Sequence, residues 1–198
     1  MDKYGYWPSY IYGKTRQLIQ PFINTSFNIN EIAPDTNVYI SDFASACNKE
    51  QLLYAGITHV ITVIRGVDEQ FGGNFKYLLI DIGDTPIDSI AKHFKKANAF
   101  IDNALKEDKN NKVLIHCMYG ISRSATISCA YLIHKYKGTV NVSKILDLIK
   151  ESRPIINPNS GFLQQLNNFY SNYDSLISVG DSDEISEQEM CEFLKLQE

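Results

Sequence analysis

The sequence is short of cysteine, has no long apolar run and shows no excess of positive charge. Cys47, Cys117, Cys129 and Cys191 have neither the paired spacing of a metal site nor the density of a disulfide framework. That excludes a disulfide-stapled scaffold and fits a reducing compartment. No segment approaches the length of a membrane span. Met1-Asp2-Lys3-Tyr4-Gly5-Tyr6-Trp7 offers no apolar signal core and no glycine at position 2 for myristoylation. A cytoplasmic or nuclear protein without membrane attachment is therefore expected. The net charge is -4, and it is unevenly placed. From Ser178 onward seven acids face the single Lys195, which leaves the first 177 residues mildly basic. No strongly basic face is implied, so nucleic acid is not an expected partner. There is no internal repeat.

At 44% hydrophobic and 21% charged residues, the 198-residue chain has the composition and size of one globular domain with flanks. Residues 1–27 carry Tyr4, Tyr6, Trp7, Tyr10 and Tyr12, rings whose apolar area is expected to pack on the domain itself or to form a homodimer contact. Residues 28–175 form the globular part, and 176–198 an acidic tail. In that tail Ser186-Glu187-Gln188-Glu189 has capping-box spacing, with Ile185 and Met190 placed as a hydrophobic staple, so a short helix is expected there.

Within the globular part Val38-Tyr39-Ile40, Thr58 to Ile64, Phe75 to Ile82 and Val113-Leu114-Ile115 read as strands. Asn48 to Ala55 reads as a helix closed by Gly56. Ile90, Phe94, Ala97, Ile101, Ala104 and Leu105 define an amphipathic helix with Asp88 as its N-cap. A helix from Ser124 to Tyr136 is apolar nearly all round and stops at Gly138. Asn141 caps another through Ser152 on Val142, Ile145, Leu146 and Ile149, ended by Arg153-Pro154. A last helix runs from about Ser160 to Tyr173. The alternation indicates an α/β domain with helices on both faces of its sheet.

The chemistry concentrates in His116-Cys117-Met118-Tyr119-Gly120-Ile121-Ser122-Arg123-Ser124, between the Val113 strand and the apolar helix. A short loop opening into a helix N-terminus gathers backbone N–H groups and partial positive charge, and so suits an anion with several oxygens. In such a field a cysteine thiol of pKa about 8.5 falls to roughly 3.5–7.5, which makes Cys117 a nucleophile at neutral pH. Arg123 presents a planar fork able to hold two oxygens of one phosphate. Ser124 puts a hydroxyl within reach of the sulfur. A proton donor for a leaving alkoxide or phenoxide is sought among Asp81, Asp84 and Asp88. Asp81 falls in a strand and Asp88 at a helix cap, whereas Asp84 lies on the loop between Gly83 and Pro86. His59, His93 and His134 form no cluster with carboxylates or cysteines, so no metal site is expected.

The run His-Cys, five residues, Arg, Ser resembles the signature loop of the cysteine-dependent protein phosphatases. With Gly120, Ser122 and the following Ala130-Tyr131-Leu132-Ile133 it looks most like the dual-specificity branch. Ile32-x-Pro34, Gly56-Ile57-Thr58-His59-Val60 and Arg153-Pro154-Ile155-Ile156-Asn157-Pro158-Asn159 resemble further landmarks of that family, as does the Asp84 loop followed by Phe100-Ile101-Asp102. Ser41 departs from it, standing where glycine is common. The resemblance implies a central mixed, largely parallel sheet. It also implies a two-step reaction on phosphorylated proteins. Cys117 attacks phosphorus, Asp84 protonates the leaving oxygen and later activates water, and Ser124 assists departure of the thiolate. His116 sets the cysteine's position and acidity by hydrogen bonds. The amides of Met118, Tyr119, Gly120, Ile121 and Ser122, with Arg123, hold the phosphate, and no metal or cofactor is needed.

No Asn-Arg-Tyr recognition loop of the tyrosine-only branch is present, so a shallow pocket open to phosphoserine and phosphothreonine as well as phosphotyrosine is expected. Inositol-lipid and RNA 5′-phosphatases of the same superfamily are the alternative, disfavoured because the loop has no lysine or arginine before Arg123. A non-catalytic phosphoprotein-binding module is a third. Arg153 is read either as a contact to a second phosphate or to the substrate backbone, or as the cap of a helix C-terminus.

Overall fold

Alternation along short strands gives the sheet two different faces. The structure, a computed structural model, describes residues 27–173. The aromatic segment before Phe27 and the acidic segment after Tyr173, with the helix expected at Ser186, lie outside the described residues. Five strands, β1 (Ile29–Glu31), β2 (Val38–Ser41), β3 (His59–Val63), β4 (Lys76–Ile80) and β5 (Val113–His116), lie in the order β1-β2-β5-β3-β4. Only β1 runs antiparallel to its neighbour. β5 is therefore central, and both its neighbours point the same way as it does.

On one face Val38, Ile40, Ile61, Val63, Leu78, Ile80, Val113 and Ile115 join the main core. It is covered by α3 (Phe94–Glu107), α4 (Arg123–Lys135), α5 (Val142–Ser152) and α6 (Ser160–Ser171). On the other face Val60 and Leu114 meet Ala46 of the short α1 (Phe43–Ala46) and Leu52 of α2 (Lys49–Tyr54), with Ile57 and Phe75. Both faces carry helices, as expected, but unequally. α4 is the hub: every residue from Arg123 to Ile133 is buried, and α3, α5 and α6 all pack on it. A helix wrapped on all sides has no solvent face to fill with charge, which is why small and apolar residues occur nearly all round it.

Several boundaries follow from single residues. Asn48, Asn141 and Asn159 accept hydrogen bonds from Gln51, Lys144 and Phe162 N–H at 3.2, 3.0 and 3.0 Å, capping α2, α5 and α6. Gly138, at φ +69°, ends the turn after α4 in a conformation that side chains disfavour. Asp88 does not cap α3. It accepts from Thr85 N–H at 3.1 Å, from the Thr85 hydroxyl at 2.6 Å and from Arg65 at 2.7 Å, closing its own loop. α3 instead starts after a 3-10 turn at Ala91–His93, without a side-chain cap. β4 ends at Ile80, so Asp81 already belongs to the loop, where it accepts from Gly66 N–H at 2.8 Å. His134 does have a carboxylate partner: Asp102 lies at 2.8 Å across the α3–α4 contact, with the Tyr173 hydroxyl 2.9 Å from the other ring nitrogen.

Phe94 is fully buried, with its ring edge-on to Phe169 at 5.1 Å. Phe94→Ala is expected to lower stability by about 3–5 kcal/mol. In urea unfolding this would appear as an earlier midpoint with an unchanged slope.

Candidate active site

Residues 117–122 leave the end of β5 and turn into α4, and every carbonyl from 118 to 122 is held from outside the loop's concave side. Met118 O accepts from Phe43 N–H at 3.1 Å, and Ile121 O from Asn157 N–H at 2.8 Å. Tyr119 O and Gly120 O accept from the Arg153 guanidinium at 3.3 and 2.8 Å. Ser122 O takes both Thr126 N–H at 2.9 Å and the Thr126 hydroxyl at 2.8 Å. With the carbonyls turned out, the amides are left to converge, which is how a backbone builds an anion cradle. Gly120 makes the tightest bend at φ +67°, and a Cβ there would stand 2.6 Å from Ser41 O. No side chain fits at that point.

Cys117 lies at the bottom, buried. Gly120 N–H donates to Sγ at 3.2 Å and the Ser124 hydroxyl sits 3.2 Å away. Burial alone would push the thiol's pKa up, but hydrogen bonds from the Ser124 hydroxyl and amide, the Arg123 charge and the Ile121 amide together bring it below the ordinary thiol range. Arg123 is itself buried at the first turn of α4. It donates to Ile82 O at 3.3 Å, and its Nε lies 3.5 Å from Asp84.

Of the three aspartates considered, only Asp84 reaches this place. Its Oδ1 accepts from the Ser122 hydroxyl at 2.6 Å and from Asn159 Nδ2 at 2.9 Å. The Ser122 hydroxyl in turn accepts Asn159 N–H at 3.2 Å. The Asp84 loop also rests on the start of α6, where a Cβ on Gly161 would overlap the Pro86 carbonyl. Loop, acid and α6 N-terminus thus form one hydrogen-bonded unit.

His116 stands behind the loop. Its Nε2 pairs with the Thr62 hydroxyl at 2.9 Å across the β3–β5 register. Burial pushes its pKa down to about 4, against the opposing pull of the Cys117 main chain. It is therefore neutral near pH 7 and braces the strand end without adding charge to the pocket. Arg153 does close a helix, its own N–H donating to Ile149 O at 2.9 Å at the end of α5, but its side chain does what neither reading foresaw. It is 2% exposed and spends its donors on Gly120 O, Tyr119 O and, at 2.8 Å, Asn30 Oδ1, so it holds the loop and is out of reach of a second phosphate. Sequence reasoning passed over Asn159 and Thr62 as site residues. Asn159 stood in a noted landmark, but nothing local marks it as a partner of Asp84. Among the described residues no group of three or more His, Cys, Asp or Glu is placed to hold a metal ion.

A family model described as the catalytic domain of dual specificity phosphatases matches residues 38–172. Dual specificity protein phosphatase 1B of Arabidopsis thaliana is 35% identical over 132 residues, covering 67% of this chain and 77% of that protein. MAP kinase phosphatase with leucine-rich repeats protein 3 of Dictyostelium discoideum is 38% identical over 138 residues, 69% of this chain but only 15% of its own length. The crystal structure of the human tyrosine phosphatase-like serine/threonine/tyrosine-interacting protein matches with a TM-score of 0.67 at 32% identity, covering 73% of this chain and 97% of that one. The chain belongs to the dual-specificity phosphatase family.

The electrostatics of the sulfur can be measured directly. Alkylation of Cys117 by iodoacetamide, followed against pH, is expected to reach half its maximal rate below the ordinary thiol range. Ser124→Ala should move that midpoint upward.

Proposed function

We propose that the chain hydrolyses phosphotyrosine, phosphoserine and phosphothreonine in proteins, through a phosphocysteine on Cys117. The observation that carries this is one sulfur held within 3.2 Å of both a loop amide and the Ser124 hydroxyl, in the field of Arg123, whose guanidinium lies 3.5 Å from the Asp84 carboxyl. In the first step the thiolate attacks phosphorus, the bond from phosphorus to the ester oxygen breaks, and Asp84 gives that oxygen a proton. Arg123 and the inward amides take up the charge that spreads over the three remaining oxygens. In the second step water attacks the phosphocysteine, Asp84 accepts its proton, and the S–P bond breaks with the thiolate stabilised by the Ser124 hydroxyl. Ser122 and Asn159 keep the Asp84 carboxyl aimed inward for both transfers.

Inositol-lipid and RNA 5′-phosphatase activity gains no support from the loop, whose side chains between Cys117 and Arg123 carry no charge. A pocket that only binds phosphoprotein would have no use for a polarised sulfur on the loop that also holds the Asp84 carboxyl through Ser122.

Cys117→Ser is expected to abolish turnover of an aryl phosphate and of phosphopeptides while leaving binding. Asp84→Asn should reduce turnover by about 10²–10⁴-fold and flatten the acid-dependent limb of the pH–rate profile. Unchanged kinetics in Asp84→Asn would move the proton donor to another group, and full activity in Cys117→Ser would end the scheme.

A further inference from the structure

Three of the six large apolar side chains most exposed among the described residues stand on the three loops that build the pocket. Ile87 is 94% exposed, Tyr119 71% and Ile155 53%. Ile87 follows the acid by three residues. Tyr119 follows the nucleophile by two. Ile155 sits between Arg153, which holds the Tyr119 and Gly120 carbonyls, and Asn157, whose N–H holds Ile121 O at 2.8 Å. None of these loops is slack. The segment under Ile87 is fastened by Asp84 to Ser122 and Asn159, by Asp88 to Thr85 and Arg65, and by the close approach of Pro86 to Gly161. Exposed apolar groups on fixed loops that border one site are placed to meet whatever chain carries a ligand into it.

The charges of the same loops point the same way. Segments 81–88, 117–123 and 153–159 contain no lysine, and their two arginines, Arg123 and Arg153, are both buried. Arg65, the cation beside the acid loop, is committed to Asp88 at 2.7 Å. Asp81 and Asp84 are exposed. On these described loops a second phosphate or an acidic flank would meet exposed carboxylates and no exposed, uncommitted cation.

Resting on the hydrolase reading above, we propose that the natural substrates are singly phosphorylated segments with large apolar residues beside the phosphorylated one, and that Ile87 and Ile155 are specificity-determining residues that receive them. The phosphate is held by the loop and Arg123, while the flanking side chains are read by an apolar rim with an acidic surround.

The test uses the full chain and three peptides of equal length around one phosphotyrosine: one flanked by leucine and isoleucine, one by aspartate and glutamate, and one carrying a second phosphate. Para-nitrophenyl phosphate serves as the reference, since it is too small to reach the rim. The apolar peptide is expected to exceed the other two by about tenfold or more in kcat/KM, a difference of the size that one or two apolar contacts supply. Ile87→Ser and Ile155→Ser should each remove several-fold of that preference, mainly through KM, and leave turnover of the reference unchanged. Equal kcat/KM for apolar and acidic peptides, or a preference untouched by both substitutions, would overturn the proposal. Absence of turnover on the reference itself would count against the hydrolase reading instead. The peptide preference is then read from fluorescence anisotropy with the same three peptides, where equal affinities would overturn it.

Discussion

The pocket exists because five consecutive carbonyl groups are pulled outward. A peptide unit presents its donor and acceptor on opposite edges, so fixing the carbonyls of Met118 to Ser122 on Phe43, Arg153, Asn157 and Thr126 also fixes where the N–H groups point. Nothing in Cys117 alone makes it acidic: burial works against its ionisation, and the convergent amides, the Ser124 hydroxyl and Arg123 must outweigh that burial. The cost is borne elsewhere in the fold. Arg153 is a buried guanidinium, a group that tolerates the interior only when its donors are satisfied, and its acceptors are the carbonyls that had to be turned away.

The rest of the fold gives that loop a rigid base. β5 is an inner strand of the parallel block, so its C-terminal end opens at the edge where ligands reach such sheets. The pairing of His116 with Thr62 locks that end to β3. α4 leaves the loop at once and is buried along nearly its whole length. Its axis, and with it the direction of its N-terminal partial charge, is set by three neighbouring helices.

What the sequence made legible was the part governed by residue type and close spacing. Cys117, Arg123 and Ser124 fall within eight positions, and the asparagine caps of α2, α5 and α6 act over three residues. Asp84 could be separated from Asp81 and Asp88 because Gly83 and Pro86 bracket it. The reason given for Asp88 was nonetheless wrong, since it caps its own loop through Thr85 and not the helix. The three residues of β1 are too few for a periodic pattern. Contacts that join distant positions stayed hidden: Asn159 to Asp84, His134 to Asp102, and Arg153 to Gly120. A buried arginine before a proline reads in sequence like any helix-ending cation. Only the fold shows that its fork points back at the loop.

Arg153 also reaches beyond the loop. One nitrogen bonds the Asn30 side chain at 2.8 Å and lies 3.5 Å from Asn28 O, and Asn28 N–H is itself anchored on Ser45. The antiparallel edge strand is thus a strut for the end of the sheet that carries Cys117, although it contributes no group to the loop itself. An excised fragment starting at residue 38, where the family match begins, would retain each chemical group named above and yet deprive the guanidinium of a main acceptor. Domain boundaries drawn from sequence matching alone would cut through the brace that keeps this thiolate's surroundings in shape.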